Sequence, residues 1–150
     1  MKIAIINLSK FEVLQTLLLA VEDIYANIID PKIDLYIEDE EFKYFENIDT
    51  KVNIIPLKMK QIGLFDIKVK YDNIRYYAKK NYDIAIDTQG DIKTSLITYL
   101  IAGRTAGYKY DKLDRKIVSS FYDEKVDVDG LGTQEEKFKK LFSKIFGYSL

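Results

Sequence analysis

The chain has 150 residues, 47% hydrophobic and 31% charged, which is the balance of an ordinary globular domain and excludes a disordered, fibrous or membrane-spanning chain. With no Cys and no His it can hold no disulfide, thiolate nucleophile, Cys-metal cluster, Ser-His-Asp triad or His-ligated zinc, so any proton chemistry falls to Asp, Glu, Lys or Tyr. The net charge of -1 conceals an asymmetry: residues 30–49 hold eight acids against two lysines, whereas residues 58–80 hold seven bases against two aspartates, which favours an anionic partner at one place only.

Residues 1–7 form a continuous apolar run, the pattern of a parallel strand covered on both sides. No apolar segment follows a basic stretch there, so neither a signal peptide nor a spanning helix is expected, and a cytoplasmic setting is the default. Ser9 is placed to cap a helix whose apolar positions Val13, Leu14, Leu17, Leu18, Val21, Ile24, Tyr25 and Ile28 recur at three- and four-residue spacing, ending before Pro31. A strand over 33–37, a short helix in the acidic run 38–46 and a strand over 52–57 follow. Gly63 opens a helix with its stripe at Leu64, Ile67, Tyr71, Ile74 and Ala78. A strand is expected over 82–86, a helix over 91–102 stopped by Gly103, and a strand over 105–109. Residues 112–122 have helical spacing, and Val126 and Val128 suggest an edge strand. After the turn at Gly130, Leu131 and Gly132, a last helix spans 133–146, with Thr133 and Glu136 as its capping box. Strands alternating with helices predict a Rossmann-like, three-layer α/β/α domain with a mostly parallel sheet.

Ligands of such sheets gather beyond the carboxyl ends of the strands. That rule selects residues 8–12, 56–60 and 87–93. The first turn lacks the glycines of a dinucleotide fingerprint or a phosphate loop, and Asn7 and Leu8 stand where a phosphoacceptor receiver domain would carry clustered acids. Asp87 reads best as a group that satisfies free backbone donors in its turn, while Gln89 can both donate to and accept from a sugar hydroxyl.

Residues 82–95, Tyr82-Asp83-Ile84-Ala85-Ile86-Asp87-Thr88-Gln89-Gly90-Asp91-Ile92-Lys93-Thr94-Ser95, resemble the "YDxxIDxQGxxKS" segment of the ADP-heptose:lipopolysaccharide heptosyltransferases. Gly103-Arg104, Gly107-Tyr108 and Arg115 with Ser119-Ser120-Phe121-Tyr122 continue the likeness, the last being similar to the family's "RxxxASLFY". The resemblance extends to Leu141-Phe142-Ser143-Lys144 and Gly147-Tyr148-Ser149, and is strongest over 82–122.

The resemblance implies the amino-terminal, acceptor-binding half of a two-domain GT-B glycosyltransferase, inactive alone, with ADP-heptose bound by a carboxyl-terminal half absent from these residues. The implied reaction is an inverting transfer of heptose to Kdo in the lipopolysaccharide or lipooligosaccharide inner core. It needs a carboxylate to take the acceptor's proton. The family places an Asp in a "LSxLGD" turn; here the turn is Leu8-Ser9-Lys10-Phe11-Glu12, one residue shorter and without the Gly, so Glu12 is the acid for that role. The same residue also reads as a first-turn acid favoured by the helix dipole.

Ser9, Lys10, Lys58, Lys60, Gln89, Lys93 and Arg115 are the candidate substrate contacts, the cations for an anionic Kdo-lipid A acceptor. Solvated lysines that do little are the alternative reading. The family's "HxxER" appears here as Thr133-Gln134-Glu135-Glu136-Lys137, without its His. No cofactor, metal or nucleic-acid partner is expected, and a lipid-linked acceptor leaves room for peripheral contact with the inner face of the cytoplasmic membrane. The alternative function is a non-catalytic domain of the same descent that binds a glycan or a protein.

Overall fold

The computed structural model describes residues 1–59, 66 and 71–150. Among them are strands β1 (Lys2–Ile6), β2 (Lys32–Glu38), β3 (Asn53–Leu57), β4 (Ile84–Asp87), β5 (Thr105–Tyr108) and β6 (Glu124–Val126). The helices are α1 (Phe11–Asn27), α2 (Tyr71–Ala78), α3 (Ile92–Ile101), α4 (Leu113–Ser119) and α5 (Gln134–Phe146). Every strand pair is parallel and the order is β3-β2-β1-β4-β5-β6, a doubly wound sheet whose chain reverses direction of growth between β1 and β4.

Alternation along β1 explains the layers. Ile3 and Ile5 face a core built with Leu14, Leu17 and Ile24 of α1 and Phe138 and Phe142 of α5, whereas Ala4 and Ile6 face a second core with Ile74, Ile97 and Ile101. Each such fully buried Ile contributes roughly 1.5–3 kcal/mol, which anchors this central strand on both of its faces. Pro56 is tolerated because β3 lies at the sheet edge, where a missing amide donor costs little.

Several boundaries differ from expectation. Ser9 does not cap α1: the N-cap is Lys10, without a side-chain bond, and the amide of Phe11 instead donates to Glu41 Oε2 at 3.1 Å. The acidic run forms a 3₁₀ helix, Asp39–Phe45. β4 starts two residues late because Asn81 turns the chain with φ of 55° and Tyr82 sends its hydroxyl to Asp34. Gly103 is no left-handed stop: α3 ends at Ile101, and Ala102 after it is already in extended backbone. α4 is shorter than its spacing implied, since Tyr122 turns inward to the sheet. The Thr133–Glu136 capping box is present as expected. The start of the helix expected from Gly63 lies outside the described residues, as does Lys60. No helix among the described residues is long and apolar enough to cross a membrane.

Candidate functional site at the carboxyl ends of the strands

Because all strands run one way, the turns after β1, β3, β4 and β5 share one rim. Two of them are tied together. In the β1–α1 turn, Asn7 Oδ1 accepts from the Ser9 amide at 3.0 Å and its Nδ2 donates to Thr88 Oγ1 at 3.0 Å. The Leu8 amide donates to Gln89 Oε1 at 2.6 Å, and the Thr88 hydroxyl donates to the Ile6 carbonyl at 3.0 Å. Phe11 is held by two rings, Tyr44 and Phe45, each 5.2 Å away between centroids. This turn therefore presents Ser9, Lys10 and the exposed Glu12 from a braced backbone.

Asp87 organises the β4–α3 turn. Its carboxylate is fully buried and accepts four bonds: from the amides of Gln89 and Gly90 on Oδ1, and from the hydroxyls of Thr94 and Tyr122 on Oδ2. Burial pushes its pKa up to about 6, against the pull of the Tyr122, Gly90, Gln89 and Thr94 donors. The structural reading of Asp87 as a partner for free backbone donors agrees with this geometry.

The remaining motif residues close around the same turn. Gly90 has φ of 77°, and a Cβ there would lie 2.1 Å from the Tyr110 hydroxyl. A Cβ on Gly107 would lie 2.4 Å from the Tyr122 ring, so both glycines are required by close packing. Arg115 Nη2 donates to the Gly90 carbonyl at 2.9 Å while its guanidinium sits 4.4 Å from the centre of the Tyr110 ring. Ser119 Oγ accepts from the Tyr110 amide at 2.9 Å.

Of the candidate contacts, Gln89 joins the two turns, its Nε2 donating to Asp91 Oδ2 at 2.8 Å. Lys93 reaches across to the Met59 carbonyl at 3.0 Å, which ties the turn after β4 to the one after β3. Each keeps hydrogen-bonding capacity beyond these bonds: a further amide proton on Gln89, two ammonium protons on Lys93 and the other guanidinium donors of Arg115. Lys58 is exposed beside a hollow of about 260 Å³ that includes Met59, Ile74 and Tyr77. Arg115 and Gln89 line a separate cleft of about 280 Å³ with Tyr108, Tyr110, Gly130 and Lys137. The structure thus groups Gln89 and Arg115 in one cleft, brackets it with the Glu12 turn through Gln89, and sets Lys58 by another hollow.

Sequence reading missed Glu41, Tyr110 and Lys137. Glu41 lies thirty residues from the amide it caps, beyond any local pattern. Tyr110 was hidden among twelve tyrosines with no spacing signal. Among the described residues no group of acids could hold a metal ion.

A doubly wound parallel domain with the strand order β3-β2-β1-β4-β5-β6 is a Rossmann-like unit. The profile of glycosyltransferase family 9 (heptosyltransferase) matches residues 74–150, and the chain belongs to that family. Two structures of the Escherichia coli heptosyltransferase WaaC, one with ADP and one with ADP-2-deoxy-2-fluoro heptose, superpose with TM-scores of 0.80 at 26% and 27% identity. Both matches cover 99% of this chain, which spans about half of WaaC, 48% and 49% of those chains. A family 9 glycosyl transferase from Veillonella parvula shares the fold, with a TM-score of 0.74 at 14% identity over 96% of this chain and 40% of its own. No curated protein matches the chain in sequence.

Proposed function

We propose that this chain is the acceptor-binding domain of an inverting heptosyltransferase that moves heptose from ADP-heptose to Kdo of a lipopolysaccharide or lipooligosaccharide inner core, in the cytoplasm. The observation that carries the reading is the joined rim: Gln89 bonds the backbone of the Glu12 turn while sharing a cleft with Arg115. The turn that carries Glu12 and the cleft that holds Arg115 thereby share one rim of the sheet, which supports a reading in which a general base and an anionic sugar acceptor meet there. In this reading Glu12 removes the proton of the acceptor hydroxyl as it attacks the anomeric carbon of heptose. ADP leaves from the opposite face, which inverts the configuration. Arg115, Lys93 and Lys58 hold acidic groups of the acceptor, Ser9, Lys10 and Gln89 contact its hydroxyls and carboxylate, and Lys60 is a further cation for it. The donor is bound by a second Rossmann-like half, of the length by which WaaC exceeds the match.

The test is titration of the chain with a soluble Kdo disaccharide, followed by amide NMR. Shifts at Gln89, Arg115 and the 8–12 turn, lost in Arg115→Glu, are expected. A different observation favours the non-catalytic alternative: Gln89, Lys93 and Arg115 each already bond the protein itself. On that reading Arg115→Glu lowers stability and no Kdo-dependent shift appears.

A further inference from the structure

Tyr108, the last residue of β5, carries a hydroxyl with nothing to bond. A side chain on Gly107 would face Tyr122, so Tyr108, the next residue along the strand, faces the opposite layer and packs in the core shared by α1 and α5. It is 4% exposed, and its phenol oxygen has no hydrogen-bond partner among the described residues. Most buried hydroxyls are bonded, because an unpaired one has given up water for no return. Burial, and after it the neighbouring Tyr110 and Asp87, raise its pKa, so the phenol keeps its proton and is available as a donor.

Tyr108 lines the cleft that holds Arg115 and Gln89. The groups around it there are donors too. Lys137, half-buried one turn into α5, makes no ion pair among the described residues. Three bases of the cleft, Lys109, Arg115 and Lys137, stand against one acid, Asp129, and Lys109 is drawn to Asp111 at 3.6 Å. Val128 and Leu131 give the cleft apolar walls, beside which a hydrogen bond is stronger than in open water.

We propose that Tyr108 is a specificity-determining residue of this cleft, its hydroxyl donating to a carboxylate oxygen of the acceptor sugar while Arg115 and Lys137 balance the charge. An ionised carboxylate only accepts, and a phenol, a guanidinium and an ammonium only have protons to offer it here. An ester in its place keeps the shape but leaves the two cations without a counter-charge. The inference rests on the acceptor-binding reading and narrows it, since the cleft then discriminates an acidic sugar from its neutral counterpart. The unbonded hydroxyl also gives Tyr108→Phe a signature that a packing role lacks. Removing it takes no bond from the free protein and one from the complex.

The experiment titrates the chain and its Tyr108→Phe and Lys137→Ala variants with a soluble Kdo disaccharide and with the methyl ester of that disaccharide, followed by amide NMR, alongside thermal melts. The parent is expected to bind the free acid at least about tenfold more tightly than the ester. Tyr108→Phe is expected to bind the acid about tenfold more weakly, the factor for one hydrogen bond to a charged group, with ester binding little changed and a melting temperature no lower than the parent's. Lys137→Ala narrows the same preference. Parental affinity of Tyr108→Phe for the acid, an equal loss for acid and ester, or a clearly lower melting temperature would overturn the proposal. So would a parent that binds acid and ester alike, and in each of these cases Kdo-dependent shifts in the parent leave the glycan reading standing. A parent that shifts with neither sugar overturns both.

Discussion

The hydroxyl of Tyr122 donates to Asp87 Oδ2 at 2.5 Å, joining the end of β4 to the segment that follows α4 across 35 positions of sequence. The phenol stays protonated, since burial and the neighbouring carboxylate both raise its pKa. Tyr122→Phe leaves the buried carboxylate with three donors. A hydrogen bond to a charged buried group contributes about 1.5–3 kcal/mol, so a loss of that size in urea unfolding is expected. A change below about 0.5 kcal/mol would show that Thr94 and the two amides suffice.

Gly107→Ala acts on the same contact from the sheet. Its new methyl would lie 2.4 Å from the Tyr122 ring, held between β5 and Asp87. Overpacking of this kind costs about 1–3 kcal/mol. In the Tyr122→Leu background the clash is relieved, so the cost of Gly107→Ala should shrink there. A double-mutant cycle of unfolding free energies reads the coupling, and purely additive values would place the strain elsewhere.

Asp87 also sets a pH dependence with a defined sign. Its folded pKa of about 6 lies above the ordinary aspartate value of 3.8, so the folded state binds the proton more tightly. Its contribution is therefore fully present below pH 3.8 and is lost as pH rises through about 6. A pKa raised by that much corresponds to about 3 kcal/mol. Asp34, held below its ordinary value because bonds from Tyr82, Asn53 and Lys80 outweigh its burial, works in the opposite direction. It cancels when parent and Asp87→Asn are compared. The stability of the parent relative to Asp87→Asn should fall by about 2.4 kcal/mol between pH 4 and 7, most of the full difference, measured by denaturant unfolding. A rising difference would mean that the four donors outweigh burial and that Asp87 titrates below its ordinary value.

Much of this arrangement was legible in the sequence, for reasons that can be named. The apolar run of β1 and the three- and four-residue spacing of α1 are local patterns, and so is the Thr133–Glu136 box. The rim followed from the parallel order. What could not be read were contacts made at long range: Glu41 capping α1 in place of Ser9, Tyr122 curtailing α4, and Tyr110 filling the space above Gly90. The motif residues carried a signal of importance without its cause. Asp87, Gly90, Gly107 and Tyr122 pack and satisfy one another, whereas Gln89, Lys93 and Arg115 combine such bonds with hydrogen-bonding capacity to spare.

Glu41 offers a way to perturb the β1–α1 turn from a distance. Its carboxylate accepts from the Phe11 amide, a position with no intrahelical partner. Glu41→Ala should cost about 1 kcal/mol, as the loss of a helix cap does, and speed hydrogen exchange at Phe11. Glu41→Gln retains an acceptor and should recover most of the protection. Equal exchange in all three proteins would remove Glu41 from the support of the turn.

Glu12 is the residue on which the proposed chemistry turns. It is exposed in the first turn of α1, and its carboxylate bonds no side chain among the described residues, so a substitution there removes no packing. Glu12→Gln keeps the size and loses the basicity. In an active heptosyltransferase that contains this chain, the variant should lower kcat by roughly 10²–10⁴-fold, the usual contribution of a general base, with KM for the acceptor little changed. Glu12→Asp separates basicity from reach. Because the turn is braced by Gln89, Glu41, Tyr44 and Phe45, it cannot simply advance a shorter side chain, and about 1 Å of misplacement costs roughly a hundredfold in rate. A glutamine variant with parental kcat would remove Glu12 from the reaction, and a loss confined to KM would make it an acceptor contact instead.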